Sequence, residues 1–144
     1  MQQIRDLVKE DPKAIWLVVD MAYPATNIPA MAGADCLNTT QTYPQKTRWE
    51  MLDQEGECED IYNRYCHIRA SLGSKTMLEL VSTDYVEVTL SPEDLKKLNI
   101  RYIVSTNDFD EKIAAGTTNI FTDSGIEFQK YYEGTQLSIY GCVY

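Results

Sequence analysis

The sequence contains 144 residues, of which 44% are hydrophobic, and it carries a formal net charge of −9 at pH 7. The apolar content excludes a disordered chain, and the length suits one domain with its own core. The acidity disfavours nucleic acid and anionic lipid surfaces as partners, because both need Lys and Arg to neutralise phosphate. No apolar run approaches the roughly 20 residues that span a bilayer, and the polar start of the chain differs from a signal peptide. We therefore expect one soluble domain over residues 1–144, either a cytosolic protein or a part of a larger one.

The first predicted strand is the most apolar segment of the chain. A short amphipathic helix over residues 2–10 precedes it. Residues 14–20 form an unbroken apolar run with β-branched residues, which is typical of a strand buried on both faces at the centre of a sheet. Asp20 lies at the carboxyl end of this strand, where α/β sheets bind ligands. It is therefore either a site residue or the cap of the next turn.

A polar connection follows this strand. Asn27 and Gly33 are suited to begin and end a helix of one or two turns. Residues 35–47 are rich in turn-forming residues and neutral hydrogen-bonding groups, with the aromatic side chains of Tyr43 and Trp49 close by in the sequence. Neutral donors and acceptors beside aromatic rings suit a carbohydrate or a peptide, since hydroxyl-rich ligands need both. The alternative is an ordinary polar loop.

The clearest amphipathic helix is predicted over residues 57–66. Acidic residues crowd its first turn, where they complement the helix dipole. We expect Asp60 to pair with Arg64 one turn later. The apolar residues recur at helical spacing and form one stripe, which we expect to be buried and which contains Cys58, Ile61, Tyr62, Tyr65 and Cys66.

The next segments are predicted to be β-strands. Alternating apolar and polar residues indicate three half-buried antiparallel strands at residues 67–72, 76–82 and 84–90. Short turn-forming segments separate them.

The last third of the chain combines short helices and strands. Ser91 is a good N-cap for a helix that Asn99 closes, and an apolar strand follows at residues 100–106. This strand, helix, strand order predicts a crossover within one sheet. One helical turn is expected at residues 110–115 and a hairpin at residues 125–144. The whole pattern predicts an α+β (mixed α/β) fold: a central mixed sheet with a few short helices packed on it and a C-terminal β-hairpin.

Familiar catalytic and cofactor-binding motifs do not occur in the sequence. It has no glycine-rich phosphate loop, no nucleophile elbow, no HExxH and no EF-hand motif. His67 is the single histidine, and the cysteines form no CxxC pair, so a four-ligand zinc site is not expected. We therefore expect no catalytic residue, no cofactor and no metal in this chain. A hydrolase that uses two carboxylates is an alternative for which no residue pair is singled out.

The four cysteines are expected to be small buried apolar side chains. The alternative is a disulfide that joins Cys36 to Cys58 or to Cys66. A disulfide between Cys58 and Cys66 is excluded, because eight residues of helix separate them by about 12 Å along its axis.

One polar cluster is a candidate ligand-binding site. In the functional interpretation, the guanidinium of Arg64 binds a carboxylate, a phosphate or a carbonyl group beside the aromatic loop. In the structural interpretation, Arg64 pairs with Asp60, and His67 forms a hydrogen bond with a loop carbonyl. The cluster consists of Asn38, Tyr43, Trp49, Asn63, Arg64 and His67.

The order of several motifs resembles that of a known family. The motifs are the buried strand at residues 15–19, the small-residue helix with Gly33, the N-x-x-x-x-YP loop from Asn38, W-x-x-L-D from Trp49, IYNRYCHI from Ile61, L-x-x-LNIRYIVS from Leu95, and the final hairpin that ends LSIYGCVY. Together they resemble the C-terminal extracytoplasmic domain of multi-spanning bacterial membrane proteins related to the type-C glycosyltransferases.

The resemblance implies a soluble domain of a larger protein, placed on the outer side of a bacterial cell membrane. The parent protein would transfer sugars from a lipid-linked donor, with its catalytic carboxylate in a loop that this chain lacks. The partner would be a glycan or the lipid-linked sugar, and only segments absent from this chain would enter the membrane. The alternative is a stand-alone cytosolic domain, regulatory or small-molecule-binding, with a pocket near Asp20.

Overall fold

The computed structural model describes residues 1–106, 108–114 and 119–144. Its strands are β1 (Ile15–Val19), β2 (Asp35–Cys36), β3 (His67–Leu72), β4 (Met77–Ser82), β5 (Tyr85–Leu90), β6 (Ile100–Ser105), β7 (Glu127–Glu133) and β8 (Ser138–Val143). Its α-helices are α1 (Gln2–Glu10), α2 (Ile28–Met31), α3 (Lys46–Leu52), α4 (Glu59–Tyr62), α5 (Pro92–Lys97), α6 (Phe109–Ala114) and α7 (Asn119–Asp123). Within these described ranges, no helix has both the length and the apolar character needed to cross a membrane.

All eight strands belong to one mixed sheet with the order β4-β5-β3-β1-β6-β8-β7, and β2 pairs with β1 beside this path. The four inner strands β5, β3, β1 and β6 are parallel to one another. The outer strands are antiparallel to their neighbours: β4 to β5, β8 to β6, and β7 to β8. The predicted fold class is confirmed, including the C-terminal hairpin.

Strand β1 lies at the centre of the sheet, as its apolar sequence predicts, and its side chains alternate between two hydrophobic cores. Trp16 and Val18 face a core that α1 and α2 cover, which we call the α1 face. Leu17 and Val19 face the opposite core, which receives side chains from α3 to α7 and which we call the α5 face. Both faces of β1 are therefore buried.

The fold depends on how β1 changes partner along one of its edges. Strand β2 pairs with the beginning of β1, whereas β3 joins β1 only at its end, where Val19 lies opposite Ala70. The side chain of Asn38 fills the gap between them. Its Oδ1 accepts from the N–H of Val18 at 2.9 Å, and its Nδ2 donates to the carbonyl of Val18 at 2.8 Å and to that of Ile68 at 3.4 Å. One buried amide thus completes the hydrogen bonding of the central strand.

Local capping signals mark the helix ends correctly. The Ser91 hydroxyl accepts from the N–H of Asp94 at 3.2 Å and begins α5. Asn99 ends that region in the left-handed conformation, with φ of 54°. Gly33 follows α2 with φ of 92°, which a glycine adopts at no steric cost.

The predicted helix over residues 57–66 is wrong in length. Helix α4 covers only Glu59–Tyr62, and Tyr65 is 53% exposed rather than buried. Long-range hydrogen bonds end the helix early. Nε2 of Gln41 donates to the carbonyls of Tyr62 and Arg64 at 2.7 and 2.8 Å, so these carbonyls are not available to continue the helix. Helical periodicity alone cannot anticipate a partner that lies more than 20 residues away.

The predicted antiparallel arrangement of the three strands is also wrong in part. Strands β4 and β5 are antiparallel, but β5 inserts between β4 and β3 and is parallel to β3. Burial differs between the two strands: β5 in the inner position buries Val86, Val88 and Leu90, whereas β4 at the edge is largely exposed. The predicted crossover through α5 holds, since β5 and β6 are parallel in one sheet.

Three short elements are not anticipated by the sequence patterns, namely β2, α3 and α7. The predicted turn at residues 110–115 corresponds to α6, which covers Phe109–Ala114, while residue 115 lies outside the described ranges.

The four cysteines are free, so neither proposed disulfide forms. Cys36, Cys66 and Cys142 are buried as expected, whereas Cys58 is half-buried at the start of α4. Burial raises the pKa of Cys36 and of Cys142 to about 12, and that of Cys66 to about 11. Because the thiolate is the reactive form, these three thiols are inert in the folded protein.

Substitution of Asn38 by Ala should destabilise the fold by about 3 kcal/mol, because it leaves the buried N–H and carbonyl of Val18 without partners. Asn63→Ala is the matched control, since this asparagine is exposed, and its effect should stay within about 0.5 kcal/mol. Urea denaturation of the three proteins measures both values. Equal stability of the two variants would contradict a structural role for Asn38.

A thiol reagent should modify one cysteine quickly in the native protein and all four in denaturant, because only Cys58 is accessible. The Cys58→Ser variant should lose the fast reaction. Reaction of two thiols at comparable rates under native conditions would contradict the buried positions of the other three.

Candidate functional site

Two of the six predicted ligand residues lie in the interior. Asn38 is fully buried and bound to the main chain as described above. Trp49 is 2% exposed, its Nε1 donates to Oε1 of Gln41 at 2.7 Å, and its ring stacks on Tyr62 with 5.3 Å between centroids. Their polar atoms are engaged within the fold, so neither side chain offers a free group at the surface.

Arg64 turns its guanidinium toward the main chain. Its Nε donates to the carbonyl of Ile61 at 3.0 Å and its Nη1 to that of Thr83 at 3.1 Å. Its Nη2 donates to the carbonyl of Asp60, not to the carboxylate that the sequence suggested. Arg64 therefore caps the end of α4 and ties it to the turn before β5.

His67 is the centre of an exposed aromatic group. Its ring lies 4.0 Å from the ring of Tyr23 and 5.7 Å, edge-on, from that of Tyr65. Tyr23 and Tyr65 are 50% and 53% exposed, and the imidazole is half-buried between them. We call Tyr23, Tyr65 and His67 the aromatic platform.

A network of neutral side chains holds the platform in place. Oδ1 of Asn27 accepts from the hydroxyl of Thr39 at 2.8 Å and from the N–H of Thr40 at 2.7 Å, and its Nδ2 donates to Oγ1 of Thr40 at 2.9 Å. Oγ1 of Thr40 lies 3.0 Å from Nδ1 of His67. The hydroxyl of Thr40 thus links Asn27 to His67, and it donates to Nδ1 or accepts from it according to the tautomer of the imidazole. The sequence instead suggested a helix cap for Asn27 and a carbonyl partner for His67.

A cleft of about 230 Å³ is lined in part by Thr40, whose hydroxyl contacts His67 of the platform. Tyr43, which is 84% exposed, forms part of its rim. Arg48 also contributes, but Nη1 of Arg48 already binds Oδ1 of Asp35 at 2.8 Å. Of the predicted residues, only Tyr43 and His67 thus belong to this exposed surface, and Asn63 is exposed on the α4 side.

Asp20 occupies a second notable position. It follows β1 with φ of 58°, a left-handed conformation that Asp adopts more readily than most residues. Its Oδ2 lies 2.5 Å from Nζ of Lys112 on α6. The site lies where the strand order diverges from β1 toward β3 and β6, the position at which open α/β sheets bind ligands. Its carboxylate, however, is neutralised within the protein.

A larger cavity, with a volume of about 660 Å³, lies elsewhere, at the carboxyl ends of β3 and β5. Its polar residues bind one another: Oγ1 of Thr76 donates to Oγ of Ser91 at 3.1 Å and to the carboxylate of Asp94. These contacts fix the start of α5. This cavity is larger than the cleft beside Tyr43, but its polar groups already bind one another, so its size does not make it the better candidate for a ligand-binding site.

Metal binding finds no support in the described part of the chain, where no three His, Cys, Asp or Glu side chains are grouped closely enough to hold an ion. The platform therefore offers aromatic surface and neutral hydrogen-bonding groups. These groups suit recognition of a polar, uncharged ligand with an apolar face.

Sequence reasoning missed Tyr23 and Tyr65 as surface residues of the site, whereas Thr40 belongs to the polar loop that the sequence indicated. Tyr65 was assigned to a buried helical stripe that does not extend so far. Tyr23 precedes Pro24 in a turn, and its ring packs against that of His67 at the start of β3. The residues next to Tyr23 in the sequence do not indicate this contact.

A family model described as a domain of unknown function (DUF7654) matches residues 1–144. No curated protein matches the chain, and neither does any solved structure. Since the family model covers the full sequence, the chain belongs to the DUF7654 family.

Proposed function

We propose that this chain is a non-catalytic carbohydrate-contacting domain, the part of a bacterial glycosyltransferase-like membrane protein that lies outside the membrane. The observation that carries the carbohydrate assignment is the aromatic platform, in which two half-exposed tyrosines flank the imidazole of His67. The motif resemblance described above supports the location and the parent protein.

The platform has the chemistry that a sugar ring requires. The C–H face of a pyranose packs on aromatic surface, and Tyr provides that surface together with a hydroxyl group at its edge. Nε2 of His67, the ring nitrogen that Thr40 does not contact, adds a hydrogen-bonding group. Sugar hydroxyls both donate and accept, so neutral side chains of both kinds can satisfy them.

The platform is also pre-organised. The hydrogen-bonded series Asn27, Thr40, His67 holds the imidazole, and the contact with Tyr23 at 4.0 Å restricts both rings. A fixed surface loses little side-chain entropy when a ligand binds. This matters for sugars, whose hydrogen bonds only replace those made to water.

Charge favours a neutral ligand over an anionic one. The chain carries a net charge of −9, and the guanidiniums of Arg64 and Arg48 are bound within the protein. An anionic polysaccharide would therefore meet a net repulsion that a neutral one does not. In the parent protein the transfer reaction would use a carboxylate outside this chain, and this domain would position the glycan.

A second candidate function is small-molecule binding at Asp20 and Lys112. The left-handed backbone of Asp20 at the divergence point of the sheet favours it. A ligand at that site would have to replace the existing ion pair. It would perturb Lys112 and leave His67 unchanged, which separates the two proposals in one experiment.

Titration with neutral oligosaccharides should shift the NMR signals of His67, which is the single histidine and gives one assignable imidazole. Tryptophan fluorescence should respond weakly, because Trp16 and Trp49 are both buried. Tyr23→Ala should weaken binding about tenfold, which corresponds to the loss of one aromatic contact.

The matched control is Tyr131→Ala, since Tyr131 is as exposed as Tyr65 but lies on β7 at the far edge of the sheet. Its affinity should equal that of the unmodified protein. An unchanged His67 spectrum across a broad panel of neutral glycans would refute the proposal.

A further inference from the structure

The aromatic platform continues onto an open half of the sheet. On the α1 face, β3 and β5 present side chains in three parallel pairs, which we call rungs: His67 with Tyr85, Arg69 with Glu87, and Ser71 with Thr89. All six side chains are half-exposed or exposed. This exposure contrasts with β1 and β6, which α1 and α2 help to cover on the same face.

The side chains of the second and third rungs contact each other within the rung. Nη1 of Arg69 lies 3.7 Å from Oε1 of Glu87, and both side chains are more than 40% exposed. The hydroxyls of Ser71 and Thr89 lie 3.2 Å apart. Every rung beyond the platform therefore places hydrogen-bond donors and acceptors side by side.

The rungs form a straight row. Alternate residues of a strand lie about 6.6 Å apart, so the row extends about 13 Å from the first rung to the third. Its length exceeds that of one sugar unit and matches a short oligosaccharide in an extended conformation. One end of the row is the platform itself.

We infer that an extended, unbranched and uncharged oligosaccharide lies along these three rungs, with one sugar stacked on the platform. This inference rests on the proposed carbohydrate function and adds the shape and length of the ligand. The second sugar contacts Arg69 and Glu87, and the third contacts Ser71 and Thr89.

The charges of this face select among glycans. Glu79 of β4 lies opposite Glu87, so the face holds two carboxylates and one guanidinium. Uronic acids and phosphorylated sugars would be repelled, whereas hydroxyl groups can donate to the carboxylates and accept from Arg69.

A basic peptide is the alternative ligand for this face, because its positive charges would interact favourably with these carboxylates. It is disfavoured because the main chain of β3 and β5 is already paired within the sheet, so no strand can be added on this face. A peptide would be held by its side chains alone.

The test is a chain-length series of two uncharged glycans, the β-linked cello-oligosaccharides and the α-linked malto-oligosaccharides, each from one to six units, measured by calorimetry on the full chain. For at least one series, affinity should rise about tenfold or more from one to three units and then level off, because the third rung ends the row.

The double variant R69Q/E87Q should lose about tenfold in affinity for the trisaccharide and nothing for the monosaccharide. The matched control is D11N/R101Q, which removes another exposed ion pair with the same 3.7 Å separation. Thermal melting of both variants verifies that they fold.

The outcomes separate this inference from the proposed function. Binding that depends on Tyr23 but not on chain length or on Arg69 and Glu87 overturns the extended ligand and leaves the platform intact. Absence of any binding to either series and to the broad glycan panel overturns both. Saturable binding of a lysine-rich peptide that R69Q/E87Q weakens, with no effect of the glycans, identifies the peptide as the occupant and overturns the inference.

Discussion

The side chain of Asn38 is the interaction on which the architecture depends. Strand β1 needs a continuous hydrogen-bonding partner along each edge, yet β2 ends after two residues and β3 reaches β1 only at Val19. The Asn38 amide presents one donor and one acceptor to Val18 in the gap, as a strand backbone would. An apolar side chain of similar size would leave two main-chain groups unpaired in a dry core, at a cost of a few kcal/mol.

The buried position of Asn38 also determines how the residues of the platform are held at the surface. Because Asn38 is anchored beside β1, the next residues must run along the start of β3. Gln41 then exchanges main-chain hydrogen bonds with Cys66 and binds Trp49, while Thr40 reaches His67. The same four-residue segment thus fills the interior with amides and orients the imidazole outside. The platform is a consequence of the core, which explains how a surface group of neutral residues is held without any ion pair.

The predictable part of the fold is the part that short-range patterns determine. The apolar run of β1, the Ser91 cap and the alternation in the C-terminal hairpin each depend on residues within a few positions of one another, and each is found where predicted. The early end of α4 and the insertion of β5 beside β3 depend on contacts between distant segments. The positions of the candidate site residues were hard to predict for the same reason. Asn38 and Trp49 have the composition of ligand residues, but burial assigns them to the interior, and Tyr23 reaches His67 across 44 positions.

The two halves of the sheet differ in how many of their faces are covered. Strands β1, β6 and β8 are covered on both faces, and their buried residues form nearly continuous apolar runs. Strands β3 and β5 are covered on the α5 face alone, so buried Ile68, Ala70, Val86 and Val88 alternate with half-exposed and exposed polar side chains. A short helix over the open half would have buried more apolar area, and the sequence instead places paired polar groups there. Pairing Arg69 with Glu87 and Ser71 with Thr89 keeps these groups ordered and lowers the cost of fixing them when a ligand arrives. This exposed face is ordered and rich in hydroxyl and aromatic groups, which is the physical basis for proposing that the ligand binds there.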